Sequence, residues 1–534
     1  MYVSRKSAWA RTGATLALAL GLTVLGCSDK EGDDDQDEGT PVTATLTGRV
    51  TFDSVPAVYT PTTRQGSLAF NQVSVKPVRN ATVQVLRGST VLASATTDDD
   101  GRYQLTFTAG DQANVTLATL AKTTTPDIQV EDNTDGNAIW AVVTQIKGGT
   151  TSKDLHAGHG WNGSSYTANQ RVAAPFAILD AMYTASHAFL AERPVPFPPL
   201  KVNWSPNNAP QNGDKARGQI GTSHFSPNEN EVYVLGLAGA DTDEFDSHVI
   251  VHEWGHFFEA NLSRADNPGG PHSSGDVLDP RIAFGEGYGN ALSGMLLPSS
   301  IYVDTLWSGT RLGAFGFDLE TPPTSTDDPN PGVFSEFSIM RFLYDLHDES
   351  TLSETPFDQV SLSLGTLYDV LVGPQRTTEA VTTVGSFIHG LKAQPGVDAA
   401  AVDRLAAHYN IGAIRSEWGE GDTDLYGMYK FVTVPFSENN FFTRGEPFNQ
   451  RQQNRYYVFT GNGRRMTVSA DSVEDVSILA LQQGATAGEA DRFTTGKETF
   501  DFNSQTDRRY VLVTTGWADE GSGNYNYTLS ISSQ

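Results

Sequence analysis

Residues His252-Glu253-Trp254-Gly255-His256 place two imidazoles four positions apart, with a carboxylate beside the first. In a helix, positions i and i+4 share one face, so both imidazoles can grip a single metal ion. Glu253 lies one step round from His252, where it can hold a metal-bound water without taking a ligand position. Zinc would lower the pKa of that water, and the carboxylate would take its proton as it attacks a carbonyl. Apolar flanks, Val249-Ile250-Val251 and Phe257-Phe258, surround the pentapeptide. Ile250, Trp254, Phe257 and Phe258 would form its core stripe. Thr242 is the expected cap, with Asp243 and Glu244 in the first turn, where the helix dipole favours anions. Asn267-Pro268-Gly269-Gly270 would close the segment. His248, one turn before His252, is expected at a partly exposed position.

An open tetrahedral site needs a third protein ligand. The third histidine of the metzincin spacing is absent, because positions 259 and 262 are Glu259 and Leu262. Glu286, thirty residues after His256, is the stronger candidate. It falls in an expected second helix from Pro280 to Leu297, capped by Asp279, started by Pro280 and stopped by Pro298. Gly285, Gly287 and Gly289 should each cost that helix about 1 kcal/mol relative to alanine. Close approach to the first helix would offset that cost and aim Glu286 at the metal. Asn290, one turn on, could hydrogen-bond a ligand imidazole. His272, Asp276 and Asp279 are alternative ligands. Tyr288, Tyr344, His347, His389 and His408 are candidate donors to an oxyanion, and their types alone single out none of them.

His252, Glu253 and His256 followed by a glutamate on a later helix resemble the gluzincin arrangement of metallopeptidases. Glu286-Gly287-Tyr288-Gly289-Asn290 looks like the Glu-Gly-Trp-Ser-Asp motif of the fungalysin branch, with Asn290 where that branch has aspartate. The resemblance is sharp over residues 230–297. It implies that His252, His256 and Glu286 bind one zinc ion and that Glu253 is the general base acting on a peptide or protein substrate. By the same analogy, the strand expected at Glu231-Val232-Tyr233-Val234-Leu235-Gly236 would be an edge strand that pairs with extended substrate.

The N-terminus has its own logic. Arg5, Lys6 and Arg11 precede an apolar run from Ala14 to Leu25. That run is shorter than the roughly 20 residues a spanning helix needs, and the pattern is that of a secretory signal peptide. Val24-Leu25-Gly26-Cys27 resembles the lipobox of bacterial lipoproteins, which implies cleavage before Cys27 and acylation of its sulfur. Cys27 is the one cysteine of the chain, so no intramolecular disulfide can form. The resemblance, with Ser28 next, implies an exported protein anchored in the outer membrane. Asp29 to Glu38, with no apolar residue, would be an extended acidic tether.

The 534 residues exceed what one core usually organises. Net charge is −27, and loss of residues 1–26 leaves 33 basic against 63 acidic residues, or −30. Such an acidic chain lacks the basic footprint of a nucleic-acid binder. Short runs of period two between Gly/Asp turns mark residues 41–128 as a β-sandwich. Gly48-Arg49-Val50 and Thr97-Asp98-Asp99-Asp100-Gly101-Arg102-Tyr103 resemble the carboxypeptidase-regulatory-like sandwich family. Five strand patterns within 455–531 look like the C-terminal sandwich appended to many secreted bacterial peptidases.

The expected architecture is multidomain, an α+β zincin-like metallopeptidase domain flanked by two all-β sandwich domains. Its divisions are a signal peptide at 1–26, a tether at 27–40, a sandwich at 41–128, the metallopeptidase domain at 129–430 and a second sandwich at 431–534. Two other functions fit the residues: a non-catalytic adhesion or scaffold lipoprotein that retains a metal site, and a zinc hydrolase of a non-peptide amide or ester. An intact Glu253 argues against the first, since a purely structural site has no need of a base.

Overall fold

The computed structural model describes residues 39–534 except 168–170, 309–310, 322–324, 350, 352–353, 355, 422–423 and 493. The signal peptide, Cys27 and nearly all of the tether lie outside the described residues. No helix among those described is long and apolar enough to cross a membrane.

The chain is multidomain, and strand outweighs helix by 37% to 22% because sheets at both ends frame a helical middle. At the N-terminal end, strand Pro41–Ser54 pairs antiparallel with Arg102–Gly110, from Pro41 opposite Gly110 to Arg49 opposite Arg102. Burial alternates along Arg102–Gly110, with Tyr103, Leu105 and Phe107 inside. That alternation follows from the two-residue repeat of a strand. The facing layer contains Ala81–Arg87, Thr90–Thr96, Asn114–Thr123 and Ala141–Lys147, and it buries Val83, Val85, Val115 and Leu117.

The core has no break at the expected 128/129 division. Strand Ile128–Asp132 meets the preceding strand at Lys122–Gln129 and pairs in parallel with Leu200–Trp204. Leu200–Trp204 in turn pairs with Glu231–Val234. One apolar cluster therefore runs from the first strand through the central helices to Leu425. The alternating pattern locates strands, but it does not reveal that the sheet carries on past the turn.

Four helices matter for the site: α1 (Ala173–Glu192), α2 (Ser247–Leu262), α3 (Pro280–Leu296) and α4 (Glu336–Asp345). Phe189 of α1 stacks on Phe258 of α2, with ring centroids 4.8 Å apart. Helix α2 starts five residues after the expected cap. Thr242, Asp243 and Glu244 lie in the chain leading to it, and the two buried carboxylates have other partners: Asp243 accepts from Ser223 and Glu244 pairs with Arg171. Asp246 is the residue at the cap, yet it bonds Thr305 instead of the helix. Helix α3 begins as expected, with the Asp279 side chain accepting from the Arg281 amide at 3.0 Å.

The C-terminal sandwich has its own core, which includes Tyr457, Val468, Leu512 and Tyr527. One sheet orders Tyr429–Phe431, Asn454–Thr460, Arg509–Gly516, Val476–Gln482 and Ala485–Ala490. The other orders Phe436–Thr443, Asn524–Ser533, Arg465–Ser472 and Gly496–Asn503. Asn454 and Tyr456 reach out of it to Asp279 at the start of α3.

Candidate metal centre

Helices α2 and α3 touch where both lack side chains. A methyl group on Gly255 would lie 3.4 Å from the Cα of Gly289. This contact brings together the faces that carry His252, His256 and Glu286. His252 Nε2 lies 3.2 Å from Glu286 Oε2 and 3.0 Å from His256 Nε2, and His256 Nε2 lies 3.4 Å from the same Glu286 oxygen. Around a tetrahedral zinc with bonds of about 2.0–2.1 Å, ligand atoms stand about 3.3–3.4 Å apart. The three side chains, all largely buried, therefore match the edges of one face of a zinc tetrahedron in donor type and spacing. The donors fit the ion.

The electrostatics also suit a cation. Burial alone would raise the Glu286 carboxyl, yet the imidazoles of His256, His252 and His272 hold it well below the ordinary glutamate value. Burial works against charge on His256, but the Glu286 carboxylate outweighs it and lifts the ring to about 9. A proton on His256 thus supplies positive charge where a metal would, and metal binding would displace it.

Surrounding groups orient the trio. Asn290 Oδ1 lies 2.9 Å from His252 Nδ1. With that oxygen as acceptor, Nδ1 carries the ring proton and Nε2 presents its lone pair. Asn267 donates to Glu286 Oε1 at 3.2 Å. Glu253 is buried on the same helix, and its Oε2 accepts from the Phe225 amide at 2.7 Å.

The alternative ligands take other places. His272 Nε2 sits 3.3 Å from Glu286 Oε2, while its Nδ1 is 2.7 Å from Glu336 Oε2 at the start of α4. It therefore sits between two carboxylates and touches the same Glu286 oxygen that faces His252 and His256. Asp279 is the α3 cap, and Asp276 accepts from the Ser273 amide. His248 is buried, not partly exposed, because its Nε2 bonds the Ser299 carbonyl at 2.9 Å.

The oxyanion candidates are mostly engaged elsewhere. Tyr344 donates to Glu320, His347 bonds the Leu362 carbonyl and His408 stacks on Phe357. Tyr288 packs among Phe258 and Phe284, and His389 is exposed.

Strand Glu231–Val234 forms, but it is not an edge. Leu200–Trp204 pairs with one side and His224–Ser226 with the other, so its ladder is filled. The edge strand is His224–Ser226, which also supplies the Phe225 amide to Glu253. Sequence reasoning missed Phe225, Asn267, Glu336 and Tyr302. The Tyr302 ring stands edge-on to His252, with centroids 6.4 Å apart. None of these lies at helical spacing from the histidines, and the fold alone brings them near.

No protein-family model matches the chain, and no curated protein matches it. Among solved structures, the chain is similar to the pre-peptidase C-terminal domain of a collagenase from Bacillus anthracis. Identity is 12% and the TM-score 0.16, over 19% of this chain and 93% of that one. It is also similar to a periplasmic inhibitor of g-type lysozyme from Aeromonas hydrophila. There identity is 15% and the TM-score 0.16, over 20% and 97% of the two chains.

Proposed function

We propose that this protein is a zinc-dependent peptidase of zincin-like fold, held at the bacterial cell envelope by a lipid on Cys27. The observation that carries the reading is the convergence of His252, His256 and Glu286 within 3.0–3.4 Å of one another, beside a buried carboxylate that is not one of them. When bound by these three, zinc supplies a Lewis acid that polarises a carbonyl and makes water acidic. Glu253 takes the proton from the attacking water and passes it to the leaving amine. The Phe225 amide holds one oxygen of Glu253 and so fixes the direction in which the other can act. Asn290 keeps the His252 ring in one tautomer.

Strand His224–Ser226 is the outer strand of its sheet among the described residues and runs beside Glu253, which takes its Phe225 amide. An extended peptide can add to it there, which favours a peptide over a small amide or ester. Localisation rests on the lipobox-like Val24-Leu25-Gly26-Cys27.

The test compares wild type with Glu253→Gln on a broad peptide library, with zinc content measured for both. Wild type should cleave, and the variant should retain zinc with activity reduced by a factor of about 10²–10⁴. Equal activity in the two would end the enzymatic reading. Cleavage of amide or ester probes but of no peptide would favour a non-peptide hydrolase.

A further inference from the structure

We propose that Asp241, Asp243 and Asp304 form a calcium site that ties the approach to α2 to the strand that follows α3. One carboxylate oxygen from each of the three lies within 4.8 Å of the others. Asp241 and Asp243 precede α2 by a few residues, and Asp304 sits on strand Ile301–Ser308. A backbone bridge between Asp241 and Leu306 holds the two segments side by side.

Their partners mark these three out from the other acids nearby. Glu244 is paired with Arg171. Asp246 accepts from the Thr305 amide at 2.7 Å and from its hydroxyl. Asp243 is only 3% exposed and has Ser223 on Oδ2, but its Oδ1 is sealed from solvent with no donor. Asp304 Oδ1 is likewise sealed and without a donor. Asp241 receives one backbone amide, that of Thr242, at 3.0 Å. Among the described residues, no lysine or arginine forms an ion pair with any of the three. Buried carboxylate oxygens without donors are costly, and a cation bound between them removes that cost.

The donor set chooses the ion. It is all carboxylate oxygen, with no nitrogen or sulfur, which suits a hard divalent cation and not zinc. Calcium sheds water and accepts irregular oxygen geometry. Magnesium dehydrates reluctantly and demands a near-regular octahedron. A site built around a carboxylate as buried as Asp243 therefore favours calcium. Burial pushes the Asp304 carboxyl up to about 7 and Asp241 up to about 6, as expected for acids crowded together without a counter-ion.

The experiment uses the full chain stripped of metal, with Ca²⁺ alone as probe, followed by calorimetric titration and thermal unfolding. Wild type should bind one tight ion per chain, and its unfolding midpoint should rise with Ca²⁺ until that site saturates. Asp304→Asn and Asp241→Asn, both at half-buried positions, should weaken the affinity by about tenfold or more, since ligand charge sets it. Glu286→Ala should leave Ca²⁺ binding intact, which separates this site from the zinc trio. These variants keep the test open even if Asp243→Asn does not fold. No heat and no midpoint shift in wild type would overturn the proposal. So would undiminished affinity in both variants, or stabilisation by Mg²⁺ and not by Ca²⁺.

Discussion

Gly289 packs against the imidazole of His252 so closely that a methyl carbon on its Cα would stand 2.8 Å from Nδ1. The ring cannot swing clear, because Asn290 bonds that same nitrogen and His256 adjoins the other. Gly289→Ala should therefore cost about 1–3 kcal/mol by overpacking and displace a ligand. The chain's unfolding midpoint and zinc affinity should both fall. Unchanged zinc affinity would show that the α2–α3 contact does not set the ligand geometry.

Asn290 bonds His252, and at the proposed zinc site it would act on the metal through that ring. Asn290→Ala should lower zinc affinity about 10–100-fold, the usual effect of losing a group that orients a ligand. Asn290→Asp keeps an acceptor at that position and should retain most of the affinity. Competition with a zinc chelator measures both variants, and equal affinity in wild type and Asn290→Ala would remove Asn290 from the site.

Glu286 is the one carboxylate among the three candidate ligands. Glu286→Ala leaves two imidazoles and no anionic donor. Purified variant should hold well under one zinc per chain by elemental analysis, whereas Glu253→Gln should stay near one. Full zinc occupancy in Glu286→Ala would eliminate it as the third ligand.

Asp279 couples the C-terminal sandwich to the helix that carries Glu286. It is fully buried and accepts from Arg281, Asn454 and Tyr456. Tyr456→Phe removes one donor from a buried carboxylate and should destabilise the protein by about 1–3 kcal/mol. Thermal unfolding of the full chain measures this. A midpoint equal to wild type would mean that the interface at Asp279 contributes nothing.

The aspartate cluster should make the metal-free chain sensitive to pH. The groups facing it are Asp241, Asp243, Glu244 and Asp246 from the segment before α2, Ser223, and Tyr302, Asp304 and Thr305 from the strand. Arg171 is already paired to Glu244. Burial raises Asp304 to about 7 and Asp241 to about 6, against about 3.9 in an unfolded chain. Between these limits the folded state binds more protons, so stability is fully present below about pH 4 and is lost as pH rises through 6 to 7. Midpoints measured from pH 4 to 8 should fall more steeply for wild type than for Asp304→Asn, and Ca²⁺ should flatten the wild-type curve. Parallel curves for the two proteins would contradict this.

Much of the local structure was legible in the residues. Pro280 with Asp279 before it marked the start of α3, and five of the C-terminal strands followed from alternation. The errors came where distant partners decide. Asp243 and Glu244 suit a first turn by charge, yet Ser223 and Arg171 hold them outside the helix. The family analogy made Glu231–Val234 an edge strand, and nothing in its own residues reveals the three-residue strand His224–Ser226 beyond it.

What the amino-acid order determined by itself was the donor pair on one face of α2, with Glu253 beside it, since both follow from a repeat of 3.6 residues within one helix. The tertiary structure alone decided that Glu286 meets that pair, that His272 lies between Glu286 and Glu336, and that Phe225 bears on Glu253. Those relations depend on how closely separate elements pack. Here that distance is set by residues far apart in sequence, such as Gly255 against Gly289, whose missing side chains let the backbones meet.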